Sequence, residues 1–271
     1  MPPTLRARAL EVLQMVQPAD KAAAARELHE HLADHAIDPS EVLAEPAGLP
    51  GRPERPRLVP PKDVPTRSPF TPEGRAALLH AIAHIEFNAI NLALDAVWRF
   101  SGMPEAFYRD WLRVAAEEAL HFTLLREHLM SLGHDYGDFD AHDGLWIMTQ
   151  RTAHDIVARM ALVPRTLEAR GLDATPPLQA KFAKAGDARA VEILAVILRD
   201  EVGHVAIGNH WYRHLCDERG LDAVSLYGEL VQRYAAPKLR PPFNIEARTA
   251  AGFTADEIGY LLGDGKADSP G

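Results

Sequence analysis

Apolar residues recur at the helical period over four long stretches of the chain, roughly 72–100, 104–133, 144–171 and 187–218. The first opens with Thr71 as an N-cap and Pro72 at the first helical position. The second starts near Pro104 and closes at Gly133, and the third starts after Asp143 and closes at Gly171. The fourth follows "GD" at 186–187 and closes at Gly220. Shorter helical patterns cover roughly 4–16, 19–35 and 221–235, the last broken by "APKLRPPFN". Alternating strand patterns are absent. This predicts an all-α chain built on a four-helix bundle of two helix hairpins, with extra N- and C-terminal helices. Between them, nine of the 27 residues from 46 to 72 are proline, which removes donors and fixes φ, so an extended strap or linker is expected and not a packed element. The expected division is an N-terminal helical appendage (1–45), the strap (46–72), the bundle (73–236) and a C-terminal tail (237–271).

Composition narrows the function classes. Hydrophobic content of 47% and charged content of 25% over 271 residues are ordinary for a globular chain. No apolar run approaches the roughly 18 residues of a membrane span, and Met1-Pro2-Pro3 opens no secretory signal. The single cysteine, Cys216, excludes an internal disulfide and a cysteine-based metal cluster, which makes a reducing cytoplasm the expected location. The net charge of −9 argues against a broad nucleic-acid surface.

Two hexapeptides share a skeleton, "EEALHF" at 117–122 and "DEVGHV" at 200–205. With 19 Glu and 13 His in 271 residues, chance alone gives about one Glu-x-x-His, so placement has to decide. Glu118 has Trp111, Val114, Ala115, Phe122 and Leu125 around it on its helix face, and Glu201 has Leu194, Ile197, Leu198, Val205 and Gly208. Glu86 on the first helix sits among Leu79, Ile82, Ala83, Ile90 and Ala93. Carboxylates in apolar stripes cost several kcal/mol unless they are paired or metal-bound. On the third helix Glu168 is the candidate, although its stripe (Ala161, Pro164, Leu172) does not select it by periodicity alone. Spacing selects it: Glu86 to Glu118 is 32 residues and Glu168 to Glu201 is 33, while the two lone Glu are 82 apart and the two Glu-x-x-His are 83 apart. The chain reads as two hairpins, each giving Glu and then Glu-x-x-His, the two halves of one site. The ligand set is then Glu86, Glu118, His121, Glu168, Glu201 and His204. Four carboxylates neutralise two divalent ions, and oxygen plus imidazole without thiolate suits two iron ions, with Mn/Fe and Mn/Mn as variants.

"LLHAIAHIEFNAINLALDA", "YGDFDAHDGLW", "VPRTLEARGLDATPP" and "DEVGHVAIGNHWY" resemble the bacterial ferritin-like family catalogued as domain-of-unknown-function family 455, over about 55–250. That resemblance implies a ferritin-like fold and no established substrate. The chain is more distantly similar to the di-iron hydroxylase of a modified tRNA adenosine, to rubrerythrins and to ribonucleotide reductase small subunits. By similarity to the reductases, Asp200 would orient His121, with Glu117 the corresponding candidate for His204. The reductases' radical-storing tyrosine has no equivalent, since Leu125 and Gly208 stand one turn after the ligand histidines.

Tyr212 is a candidate redox relay or a core tyrosine with a satisfied hydroxyl. Gly203 and Gly208 either open space for dioxygen or substrate or allow close helix packing. The pairs His80/His84 and His210/His214 have adventitious-metal spacing, and the loop at 133–144 reads either as a lid or as a plain connection. His29, His31 and His35 read as surface residues.

The leading functional expectation is a di-iron carboxylate oxidoreductase that activates dioxygen to oxidise or hydroxylate an unidentified substrate, with an electron-donor protein as a further partner. The alternative is an iron-binding or ferroxidase protein of storage type, disfavoured by the long appendage and strap. Peroxide reduction as in rubrerythrin would call for a four-cysteine iron centre that one cysteine cannot build. A tRNA substrate and oligomer formation stay open.

Overall fold

Helix ends follow the local capping chemistry. In this computed structural model, which describes residues 2–263, the Thr71 hydroxyl accepts from the Gly74 amide at 3.1 Å, and the Asp155, Asp222 and Thr254 side chains cap later helices in the same way. The helices are α1 (Leu5–Gln14), α2 (Pro18–Glu30), α3 (Pro72–Arg99), α4 (Glu105–Ser131), α5 (Gly144–Arg151), α6 (Ile156–Leu162), α7 (Ala169–Lys184), α8 (Ala188–Glu218), α9 (Ala223–Arg233), α10 (Ile245–Ala250) and α11 (Ala255–Leu262). A π-helical segment, Val163–Glu168, joins α6 to α7. Among the described residues the only β pairing is an isolated bridge between Leu58 and Ala141. The all-α helical-bundle expectation holds.

The third helical pattern differs from its sequence reading. The expected single helix over 144–171 is interrupted after Arg151, restarts at Ile156 and passes through Gly171 to Lys184. At the break Arg159 donates to Thr152 Oγ1 at 2.9 Å and to the Thr149 carbonyl at 2.5 Å, so a buried guanidinium takes up the helix-end acceptors. Apolar residues continue through the break, which hides it from periodicity. α7 tolerates Pro176 because the missing donor is replaced: the Leu172 carbonyl, which Pro176 cannot serve, accepts from Asn244 Nδ2 at 3.2 Å.

The chain divides into two compact units, one comprising Met1–Ile147 with Gln179–Val196, the other Met148–Leu178 with Ile197–Gly271. In the first, α1 and α2 pack against α3 and α4. A buried polar row on α3, His84, Asn88, Asn91 and Asp95, faces partners from outside the hairpin or along the helix. Lys21 Nζ donates to Asn91 Oδ1 at 2.6 Å and to the Gly51 carbonyl at 2.7 Å. Arg6 takes up the Trp98 and Val97 carbonyls at the end of α3, at 2.7 and 3.3 Å. α3 is apolar and long enough to span a membrane by composition, but 78% of its most apolar window is buried inside the protein, as in a core helix.

The strap is extended, as its prolines dictate, yet it is packed and not a free linker. Gly51 donates to the Leu13 carbonyl at 2.9 Å, and a Cβ there would lie 2.1 Å from the Gln14 carbonyl oxygen, so only glycine fits. Further on, Val59 donates to the Ala141 carbonyl at 2.8 Å and Arg52 pairs with Asp143 at 2.8 Å. These bonds hold down the 133–144 loop, together with Arg126–Asp135 at 2.7 Å and Tyr136, whose hydroxyl meets His84 Nδ1 at 2.9 Å. His80 Nε2 accepts from the Gly137 amide at 2.9 Å. His80 and His84 are therefore anchors for this loop.

In the second unit a core of Ala169, Leu172, Val205, Ala251 and Phe253 gathers α7, α8 and the C-terminal helices. Arg248 of α10, fully buried, pairs with Asp173 at 2.6 Å. Arg165 pairs with Glu257 of α11 at 2.8 Å, among the rings of Tyr212, Tyr227 and Phe253.

Candidate metal centre

In the first unit, α3 and α4 bring three ionisable side chains together in the core. Glu86 of α3 is 3% exposed, and Glu118 and His121, one turn apart on α4, are fully buried. His121 Nδ1 lies 3.3 Å from Glu86 Oε2 and 3.2 Å from Glu118 Oε2. One donor atom from each of the three falls within 4.8 Å of the others, a spacing that a single ion can bridge. Burial, and after it the Glu118 charge, push the Glu86 carboxyl well above the ordinary carboxylate range, with the hydrogen bond from His121 opposing. The donor set, two carboxylates and one imidazole with no thiolate, fits a divalent transition metal such as iron or manganese.

In the second unit, Glu201 and His204 lie one turn apart on α8, with His204 Nδ1 3.8 Å from Glu201 Oε2. Both are buried, as is Glu168, the last residue of the π segment. Gly171, read in the sequence as a helix terminator, instead lies inside α7 against the Glu201 carboxylate, where a Cβ would sit 3.8 Å from its Oε1. All six sequence-predicted ligands are thus in the core of their own units, each on a helix or at the end of the π segment.

The glycines flanking His204 separate in role. A Cβ at Gly208 would meet Pro164 Cβ at 2.5 Å and Cγ at 2.7 Å, so Gly208 permits close packing. Gly203 is exposed and meets nothing within 4 Å. Asp200 pairs with its neighbour Arg199 at 2.7 Å, and Glu117 is half-buried on α4. Tyr212 is buried, donates its hydroxyl to the Ala223 carbonyl at 2.7 Å and lies 5.1 Å from the Arg165 guanidinium. His210 and His214 stack at 6.3 Å between ring centroids.

Sequence reasoning missed the π segment, the buried Arg165 and the Lys21–Asn91 pair. Pro164 inside a helical pattern signalled the first. The row of Asn and Asp along an otherwise apolar α3 signalled that further elements pack there.

The chain is all-α among its described residues, and its buried carboxylate–imidazole side chains could hold metal ions. By sequence it is a member of the family described as protein of unknown function (DUF455), which matches residues 14–259. It is 60% identical over 216 residues to an uncharacterised protein of Haemophilus influenzae, covering 77% of this chain and 75% of that one. No solved structure matches it.

Proposed function

We propose that this protein is a ferritin-like di-iron carboxylate oxidoreductase of the cytoplasm, using dioxygen to oxidise or hydroxylate an organic substrate with electrons from a donor protein. The observation that carries the reading is the Glu86–Glu118–His121 cluster, whose donor atoms lie within 4.8 Å of one another in a buried setting. The sequence supports a second ligand set of the same kind, Glu168, Glu201 and His204, because its spacing repeats that of the first. Along the sequence the two sets repeat the Glu and Glu-x-x-His spacing found in two-ion helical bundles.

Iron held by these residues would supply the redox steps by which dioxygen is activated. The protein residues have separate tasks. The carboxylates would offset the charge of bound ions, and His121 would supply an imidazole nitrogen as a ligand. The near-complete burial of Glu86, Glu118 and His121 keeps bulk water from this cluster.

Stepwise aerobic addition of ferrous iron to the full chain, with retained iron and assembly mass measured at each step, tests this reading. A plateau near two irons per chain on a small assembly is expected. Tens of irons per chain inside a large shell would establish the storage alternative instead.

A further inference from the structure

The helices of the second unit carry a register that two contacts define, the first tight and the second at ordinary van der Waals distance. Pro164 faces Gly208, and Gly171 faces Glu201. Seven residues separate Pro164 from Gly171 along one strand of the pairing, and seven separate Glu201 from Gly208 along the other, in the opposite direction. Between the two contacts, four residues from Pro164 and four from Gly208, stand Glu168 and His204. We propose that Gly208 and Pro164 form a steric pin that holds Glu168 opposite His204, which makes Gly208 a positioning residue for metal binding. The proposal rests on the assignment of Glu168 and His204 as ligands.

Three features give the pin its rigidity. Pro164 Cβ and Cγ belong to a ring closed onto the backbone, so neither atom can swing aside for a new neighbour. Pro164 sits in the π segment, where the Thr166 hydroxyl donates to the Ala161 carbonyl at 2.8 Å, five residues back, and secures the wide turn. Beside the contact, Arg165 Nη1 donates to Asn209 Oδ1 at 2.7 Å, and Asn209 Nδ2 donates to the Ala251 carbonyl at 2.8 Å. The segment is thus bolted to α8 immediately next to Gly208. A methyl at 208 would have to move the proline by about 1 Å to reach ordinary contact distance. Metal–ligand bonds tolerate only about 0.2 Å, so the displacement at Glu168 would exceed what ligation allows.

The test uses the full chain reconstituted anaerobically with ferrous iron, with metal content measured on protein shown by circular dichroism to be helical. Gly208→Ala is expected to lose about half of its metal, retaining about one ion per chain where the parent holds about two. Moving the glycine across the contact, in the double variant Pro164→Gly with Gly208→Ala, is expected to restore the parent content. A merely structural role would lower helicity together with metal content, whereas the pin predicts metal loss in protein whose helicity matches the parent. Gly208→Ala that folds with full metal overturns the pin, as does a double variant that stays metal-poor or fails to fold. Glu168→Ala separates the two claims. If it loses metal while Gly208→Ala does not, only the pin falls; if it keeps the full content, the ligand assignment and the pin fall together.

Discussion

Lys21 buries an amine completely, with Gly51 and Asn91 oxygens as acceptors and the Phe87 ring 5.1 Å away. Burial, and secondarily the nearby Arg52 charge, pull it from 10.5 down to about 7. The folded value lies below the unfolded one, so the unfolded chain holds this proton more tightly. The stability that Lys21 gains by losing its charge is fully present above 10.5 and is lost as pH falls towards 7. Denaturant titrations between pH 7 and 9.5 should therefore show stability rising with pH, and Lys21→Met should flatten that slope; an unchanged slope would contradict the assignment. Glu118 makes the opposite kind of case. It is a buried acid whose removal lightens the charge in the metal-free core, so Glu118→Gln should leave the melting temperature of the metal-free protein equal or higher. A fall of several degrees in a thermal melt would show instead that the carboxylate serves folding.

At the scale of elements, the chain holds its peripheral helices through buried charge and not through apolar area alone. α10 depends on Arg248, fully buried and hydrogen-bonded to both Asp173 oxygens at 2.6 and 3.1 Å. Arg248→Ala should cost about 3–5 kcal/mol in denaturant unfolding, because it leaves Asp173 without that cation. A loss below 1 kcal/mol would show that α10 is held by its apolar contacts. The elements most legible in the sequence were α3, α4 and α8, whose apolar stripes are long and whose ends carry cap residues. The buried acids were legible for the same reason, since Glu86, Glu118 and Glu201 interrupt otherwise apolar faces. The third pattern was not, because Arg159 stabilises a break that leaves the hydrophobic period intact, and Asn244 supplies the donor that lets Pro176 stay inside α7. Both compensations come from residues distant in sequence or from one buried cation, and periodicity contains neither. The packed strap escaped for a similar reason: Gly51 and Arg52 are tied down by partners at Leu13 and Asp143.

For the whole molecule, the family carries no established activity, so the chemistry of the buried donors bears the functional argument. Acidic side chains that stay in an apolar core call for a compensating cation, and here they recur at matching spacing along the chain. Dioxygen, an organic substrate and an electron donor enter only if metal binds at these residues. The most direct test compares metal content in the parent protein, Glu118→Ala, Glu201→Ala and the exposed control Glu127→Ala, all reconstituted anaerobically with ferrous iron and analysed for elements. The account predicts about two ions per chain in the parent and in Glu127→Ala, and loss of bound metal in the other two. Equal metal content in all four proteins, or none in a folded parent, would contradict it.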